Sequence, residues 1–328
     1  MAVTIAIPTY NRNIKLKRTV ELLLPQLNPQ IKLKIFDNCS DIPVSETLKD
    51  ILDSGIEIER NKINIGMSGN FIKCFESCDT EWLWMLGDDD PPCANAIQII
   101  EDVINSNANC SFINFKTITM AKDRNQSFFV NDCDELIDRI DSFGNLLYIS
   151  VGLYNLKKLS SGYKTMYQYS YTLAPHMALL LSALSNSSNH KVLFSDKVII
   201  NSMAHDTNHD ESWNWIVVSM AIFLLYETVF NVSHKSKVKL KKHLKTHVVG
   251  PKEMYSEIAR FDPFLKNYEQ DKYWYDQVFM RAKIAMTAKD WFYFLFYKLK
   301  LAFKYYIMKL RGKNKHNQEL ITTVYKRI

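Results

Sequence analysis

The sequence has no hydrophobic run long enough to cross a membrane. Its longest apolar stretch, residues 215–226, covers about 12 residues and is interrupted by Ser219, whereas a spanning helix needs about 20. The opening MAVTIAIPTYNR also lacks the basic segment, longer apolar core and small-residue cleavage site of a secretory leader, so a cytoplasmic location is expected. Paired cysteines are missing too. None of Cys39, Cys74, Cys78, Cys93, Cys110 and Cys133 forms a CxxC unit, and Cys74 with Cys78 has the spacing of one helix face. That excludes a disulfide framework or a zinc-ribbon site and leaves reduced, structural thiols. Glycine is scarce, nine residues in 328, and IAIPTYNR holds no glycine-rich phosphate loop after the first strand, which argues against a nucleotidyltransferase.

What the chain has is ample apolar content and one obvious concentration of charge. A composition that is 47 % hydrophobic supports a packed core in one large domain, or a medium domain with a smaller one. The net charge is +6. Residues 289–315 hold eight basic residues against Asp290 alone, a net +7, which leaves −1 for everything else. The tail is therefore expected to meet a local anionic partner.

Over the first hundred residues short β-rich runs alternate with helical periodicity. Residues 3–7 (VTIAI), 31–36, 56–60 and 81–86 predict strands, and residues 14–27, 44–52 and 71–77 predict the helices between them. Strands joined by helices imply right-handed crossovers and a mainly parallel sheet. Ligands in such sheets bind beyond the C-terminal strand ends, which selects the loops at residues 8–13, 37–41 and 87–92. A helix over 94–105 and a strand over 111–120 follow. From Trp213 the pattern is almost entirely helical, so the expected division is a catalytic domain over 1–212 and a helical region over 213–328.

The densest chemistry is LGDDDPP at residues 86–92. Three adjacent carboxylates repel one another unless solvated or neutralised by a cation. Alternating Asp88 and Asp90 would suit a hard divalent ion, Mn²⁺ or Mg²⁺, whose remaining positions take phosphates and water. A solvated turn capping the next helix is the other reading of the same triplet.

Together, IAIPTYNR (5–12), FDNCSD (36–41), NIGMSGNF (64–71) and WMLGDDD (84–90) resemble glycosyltransferase family 2, GT-A enzymes that build bacterial surface polysaccharides such as O-antigen and capsule. The resemblance covers the first hundred residues and is weaker beyond. It implies an α/β GT-A catalytic domain and a nucleotide-sugar donor. It places Pro8, Thr9, Tyr10 and Arg12 around the nucleotide, Asp37 on the base, Gly66 and Asn70 in a segment passing close to it, and Asp88 and Asp89 on the nucleotide. Asp88 and Asp90 would hold the metal. His176, heading LAPHMALLLSAL at residues 173–184, stands where the family carries an acidic pair, and is either the catalytic base or a capping and packing residue. In NSMAHDTNHDESWNW (201–215), His205 falls where related enzymes supply a further metal or diphosphate ligand, with Asp206, His209, Asp210 and Glu211 competing. Trp213 and Trp215 make this loop a candidate lid, unless it is simply solvated.

The tail segment WFYFLFYKLKLAFKYYIMKL (291–310) places Phe292, Leu295, Phe296, Leu299, Phe303, Tyr306, Ile307 and Leu310 on one helical face flanked by Lys300, Lys304, Arg311, Lys298 and Lys309. That is the pattern of an interfacial helix on an anionic membrane. Packing within the domain, or between two copies of the chain, is the alternative. The reaction expected is metal-dependent, inverting transfer of a sugar to a lipid-linked or polysaccharide acceptor at the inner membrane face. A nucleic-acid-binding role for the basic tail is disfavoured, because the organised motifs point to a small nucleotide.

Overall fold

The structure, a computed structural model, describes residues 2–51, 55–187, 189–201, 218, 221–247 and eight positions between 292 and 307. In chain order the elements are β1 (Val3–Thr9), α1 (Asn13–Leu23), β2 (Ile31–Asp37), α2 (Val44–Thr47), β3 (Ile56–Arg60), α3 (Gly66–Glu76), β4 (Trp82–Met85), α4 (Ala96–Ser106), β5 (Phe112–Asn114), β6 (Phe128–Val130), α5 (Cys133–Arg139), α6 (Phe143–Leu147), β7 (Gly152–Asn155), α7 (Tyr163–Gln168), α8 (Pro175–Asn186), β8 (Val192–Phe194) and α9 (His234–Lys245).

The strands form one eight-stranded sheet in the order β3-β2-β1-β4-β7-β5-β8-β6. β1 is buried along its whole length and pairs in parallel with β2 and β4, as a continuous apolar run flanked by helical crossovers should. The expectation of parallel pairing fails at β7, which runs antiparallel to both β4 and β5. The crossover rule covers strands joined through a helix to a neighbour in the sheet. β7 reaches β4 from about 70 residues away and obeys no such constraint.

Element ends also differ from expectation. α1 stops at Leu23 and tightens into a 3₁₀ turn at Leu24–Gln26, where Pro25 denies the helix a donor. α3 begins five residues early because Gly66, at φ 76°, sets the turn into it. The strand expected over 111–120 ends at Asn114, whose side chain accepts from the buried Arg124 guanidinium and from the Asn145 amide.

The chain separates into two compact units, Met1–Asn208 with Leu225–His243, and His209–Leu224 with Leu244–Ile328. The return of residues 225–243 to the first unit has a visible cause. Asp134 on α5 accepts from Ser233 N at 3.0 Å and the Ser236 hydroxyl at 2.6 Å, and Lys239 pairs with Asp138 at 2.7 Å.

α8 is buried from Pro175 to Ser185. It packs so closely on the turn before α7 that a Cβ added at Gly162 would lie 2.2 Å from the Leu179 carbonyl oxygen. Backbone cannot yield as a flexible side chain can. Gly162→Ala should therefore destabilise the first unit by about 1–3 kcal/mol, read as a lower thermal midpoint, whereas Gly55→Ala, with nothing within 4 Å, should show only the smaller strain of its φ of 80°.

Candidate active site

The three loops selected from the sequence meet at one edge of the sheet. β1 and β2 end in register at Thr9 and Asp37, and Leu86 N donates to the Ala6 carbonyl at 2.9 Å. Asn38 N then bonds Thr9 O at 2.9 Å and Asn61 N bonds Asp37 O at 2.8 Å, carrying the order past the strand ends.

The Asp triplet is divided among different partners. Asp88 is buried, accepting from the Thr9 hydroxyl at 2.7 Å and from Arg12 Nη1 at 3.1 Å. Burial pushes its carboxyl up to about 6, against the opposing pull of the Arg12 guanidinium and the Thr9 hydroxyl. Asp89 lies outside, 3.1 Å from Arg12 Nη1 and 3.8 Å from Lys15 Nζ. Asp90 accepts from the Tyr148 hydroxyl on one oxygen and the Ser150 hydroxyl on the other. Ser150 is itself fixed: Gly87 N donates to its Oγ and Trp84 Nε1 to its carbonyl, both at 2.8 Å. Gly87 is required here, since a Cβ would sit 2.3 Å from Asp90 Oδ2. Burial and the Asp90 charge push the Tyr148 phenol far up, so it stays a donor.

Asp37 is fully buried at the end of β2. Its carboxylate accepts from Ser40 N at 2.8 Å and Val44 N at 3.3 Å, and forms an ion pair with Arg60. Most of its acceptor capacity is thus spent on its own loop. A network of amides spans the next loop. Asn38 Nδ2 donates to Asn64 Oδ1 at 2.8 Å, Asn61 Nδ2 donates to Asn38 Oδ1 at 2.9 Å and Asn70 Oδ1 at 3.0 Å, and Asn70 Nδ2 reaches Phe36 O at 2.9 Å. Asn70 therefore holds the loop from inside, while Gly66 opens α3 on its exposed side. Pro8 is buried, and Tyr10 stands exposed at the rim.

Sequence reasoning missed Lys15, Arg60, Tyr148 and Ser150. Arg60 was within reach, because it ends β3 opposite Asp37 in the parallel register. Tyr148 and Ser150 carry no local signal, since they come from the reversed strand's approach 58 and 60 residues after Asp90. His205 and its neighbours Asp206, His209, Asp210, Glu211, Trp213 and Trp215 lie outside the described residues.

The donor set suits one kind of cation. Among the described residues no three His, Cys, Asp or Glu side chains converge, which argues against an all-protein cage. Of the carboxylates expected to hold a metal, Asp90 at the strand end could serve an ion of the Mg²⁺ or Mn²⁺ type, which takes one or two carboxylates and fills its shell with phosphate and water. Asp88, committed to Arg12 and Thr9, braces the turn from behind.

His176 heads α8 and is 2 % exposed, with the Phe71 ring edge-on at 6.1 Å. Its Nε2 lies 2.9 Å from the Leu147 carbonyl, an acceptor, so Nε2 carries the proton and Nδ1 the lone pair. Nδ1 is buried without a hydrogen-bond partner, and burial lowers the imidazole from 6.5 to about 4. The folded value is the lower one, so as pH falls the unfolded chain takes the extra proton. This histidine should cost the fold nothing above pH 6.5 and on the order of 3 kcal/mol by pH 4. Chemical denaturation of wild type and His176→Gln, which keeps a donor for Leu147 O, should show the gap between them change across pH 6.5 to 4; a constant gap would show that the ring titrates normally.

With this geometry established, comparison with known proteins is informative. Residues 4–142 match the family described as Glycosyl transferase family 2. Abequosyltransferase RfbV of Salmonella typhimurium is 28 % identical over 117 residues, spanning only about a third of either protein: 33 % of this chain and 34 % of that one. Among solved structures, residues 1–349 of S. aureus TarS in complex with UDP-GlcNAc align over 99 % of this chain and 91 % of that one with a TM-score of 0.61 at 12 % identity. The same protein with UDP gives 0.55 over 99 % and 90 % at 12 % identity. At such identity the likeness speaks for the fold, and the fold is GT-A. The strand-end carboxylates and the loops around them thus lie within the residues that match glycosyl transferase family 2.

Proposed function

We propose that the protein is a glycosyltransferase that moves a sugar from a nucleoside-diphosphate donor to a lipid-linked or polysaccharide acceptor, with inversion and with Mn²⁺ or Mg²⁺ bound at Asp90. The observation that carries the reading is the division of the Asp triplet. Asp88 is buried against Arg12 and Thr9, Asp89 lies outside beside Arg12 and Lys15, and Asp90 is held half-buried by the Tyr148 and Ser150 hydroxyls. The TarS structure contains UDP-GlcNAc and the Salmonella relative is an abequosyltransferase, which supports a nucleotide-sugar donor and a bacterial surface glycan as product.

In a single displacement the acceptor oxygen bonds to the anomeric carbon as the bond to the leaving diphosphate breaks, and the acceptor proton passes to a base. A bound divalent ion would neutralise charge developing on the diphosphate. Arg12 and Lys15 add positive charge from the protein. Thr9 and Arg12 keep Asp88 in place, and Tyr148 and Ser150 hold the Asp90 rotamer. Tyr10 offers a ring at the rim, and Asp37, Gly66 and Asn70 shape the loops that would receive the base.

We assign the base to His176 Nδ1, a lone-pair atom with no hydrogen-bond partner among the described residues, which burial leaves neutral above about pH 4. His176→Gln should then lower kcat by about 10² to 10⁴, and a loss under tenfold would return the residue to packing.

Binding of nucleoside diphosphates should raise the thermal midpoint, by about 2.7 kcal/mol in stability at one hundred times Kd. Mn²⁺ should add to that shift in wild type and not in Asp90→Asn, which should fold normally and lose turnover. An equal Mn²⁺ increment in both proteins would remove Asp90 from metal binding.

The tail supports a membrane-bound acceptor. Phe292, Leu295, Phe296, Leu299, Phe303 and Tyr306 are helical and each more than half exposed, between 56 % and 70 %. Such a stripe is unusual on a surface facing only water. Among the described residues no helix is long and apolar enough to cross a membrane, so the stripe is proposed to lie in the interface on the cytoplasmic side. Truncation before Lys289 should abolish co-sedimentation with neutral phospholipid vesicles and leave activity on a soluble acceptor analogue. Equal sedimentation of both forms would assign the stripe to an interface between copies of the chain.

A further inference from the structure

Sequence counting assigned all the excess positive charge to the tail, but the fold reveals a second concentration. α9 reads HKSKVKLKKHLK, with six lysines and no acid in twelve residues. Its buried side is Ser236, Leu240 and Leu244. At 100° per residue, His234, Lys235, Val238, Lys241 and Lys242 fall within about 120° on the opposite side, and all five are exposed.

The acids near this helix offset that face only in part. Asp134 is engaged by Ser233 and Ser236 at the helix start, and Asp138 takes Lys239, the one lysine of α9 in an ion pair among the described residues, while its charge also acts on Lys235. The Lys241 ammonium lies over the Tyr226 ring at 4.4 Å. Beside the lysines the surface is apolar. Phe230 is 49 % and Val238 41 % exposed, and they line a cleft of about 240 Å³ with Tyr226, Val229 and Lys237. Glu227 is the single acid on its wall, and the Tyr171 and Tyr226 hydroxyls approach its carboxylate at 3.4 and 3.5 Å.

We propose that the outward face of α9, with Phe230, is a docking surface for an anionic phospholipid bilayer. Among the described residues the lysines of that face form no ion pair, and only Asp138 beside Lys235 and Glu227 in the cleft oppose them, so the face carries a net positive charge that suits an anionic, extended partner. Phe230 and Val238 at its start suit a partner that also takes apolar side chains, as the headgroup boundary of a bilayer does. A nucleic acid would use the lysines and have less use for valine. The surface belongs to the same compact unit as the strand-end site and is separate from the tail stripe. It does not rest on the transfer chemistry.

The test is vesicle co-sedimentation of the full chain with phosphatidylglycerol-containing and with purely zwitterionic vesicles, the tail being intact in every variant so that its contribution cancels. Lys235→Gln, Lys241→Gln and Lys242→Gln combined should lower partitioning onto anionic vesicles about a hundredfold at low salt, at roughly fivefold per lysine. Partitioning onto zwitterionic vesicles should be unchanged. The corresponding triple Arg variant should bind as wild type. Single Lys235→Gln and Lys242→Gln variants guard against a folding defect, each with about a fivefold loss and an unaltered nucleoside-diphosphate thermal shift. Undiminished anionic binding by the triple Gln variant would overturn the proposal, as would equal loss in the Arg variant, or loss confined to binding of a single-stranded oligonucleotide.

Discussion

Three successive carboxylates at the end of a buried strand are the constraint around which this site is built. Like charges a few ångströms apart can coexist only if each has its own compensation. Thr9 and Arg12 supply it for Asp88, Arg12 and Lys15 for Asp89, and the Tyr148 and Ser150 hydroxyls for Asp90. Each solution draws on a different part of the sheet. The β1 end brings the cations, while β7, reversed between β4 and β5, brings the hydroxyls. The packing of Trp84 and the missing side chain at Gly87 keep the arrangement compact. Removing any one partner would alter the charge balance of the others.

How far the sequence disclosed this depends on the range of the interaction. The strands β1 to β4 and the helices between them followed from apolar runs and helical spacing, because local periodicity is set by neighbours in sequence. The loops at residues 8–13, 37–41 and 87–92 were likewise legible once the strands were parallel. In the second half of the sheet only β5 was, as the start of the strand expected over 111–120. β6, β7 and β8 are three or four residues long and lie in the irregular, polar part of the sequence, and their pairing is decided by tertiary contact. Asp37 shows the same limit at a single residue. Its position at a strand end was readable, but its saturation by Ser40, Val44 and Arg60 depends on how one loop folds back.

The charge of the chain carries a similar lesson. A net value near neutrality outside the tail concealed a helix with six lysines, because acids elsewhere cancel it in a sum but not in space. Only a folded surface pairs Asp138 with Lys239 and leaves Lys235, Lys241 and Lys242 exposed together.

The reversed strand at the centre of the sheet also governs the order in which the molecule can be completed. During synthesis β1 to β4 can all pair once β4 has emerged, since the four strands lie within the first 85 residues. The free edge of β4 must then wait for β7, whose last residue, Asn155, pairs with Trp82. At ribosomal rates of about 5–20 residues per second, that interval is about 4 to 14 seconds, during which an apolar strand edge stands open. It is the period when a nascent chain is most prone to pair with another copy. The residues that close the edge also bring Tyr148 and Ser150 to Asp90, so solubility and assembly of the site are completed by the same step.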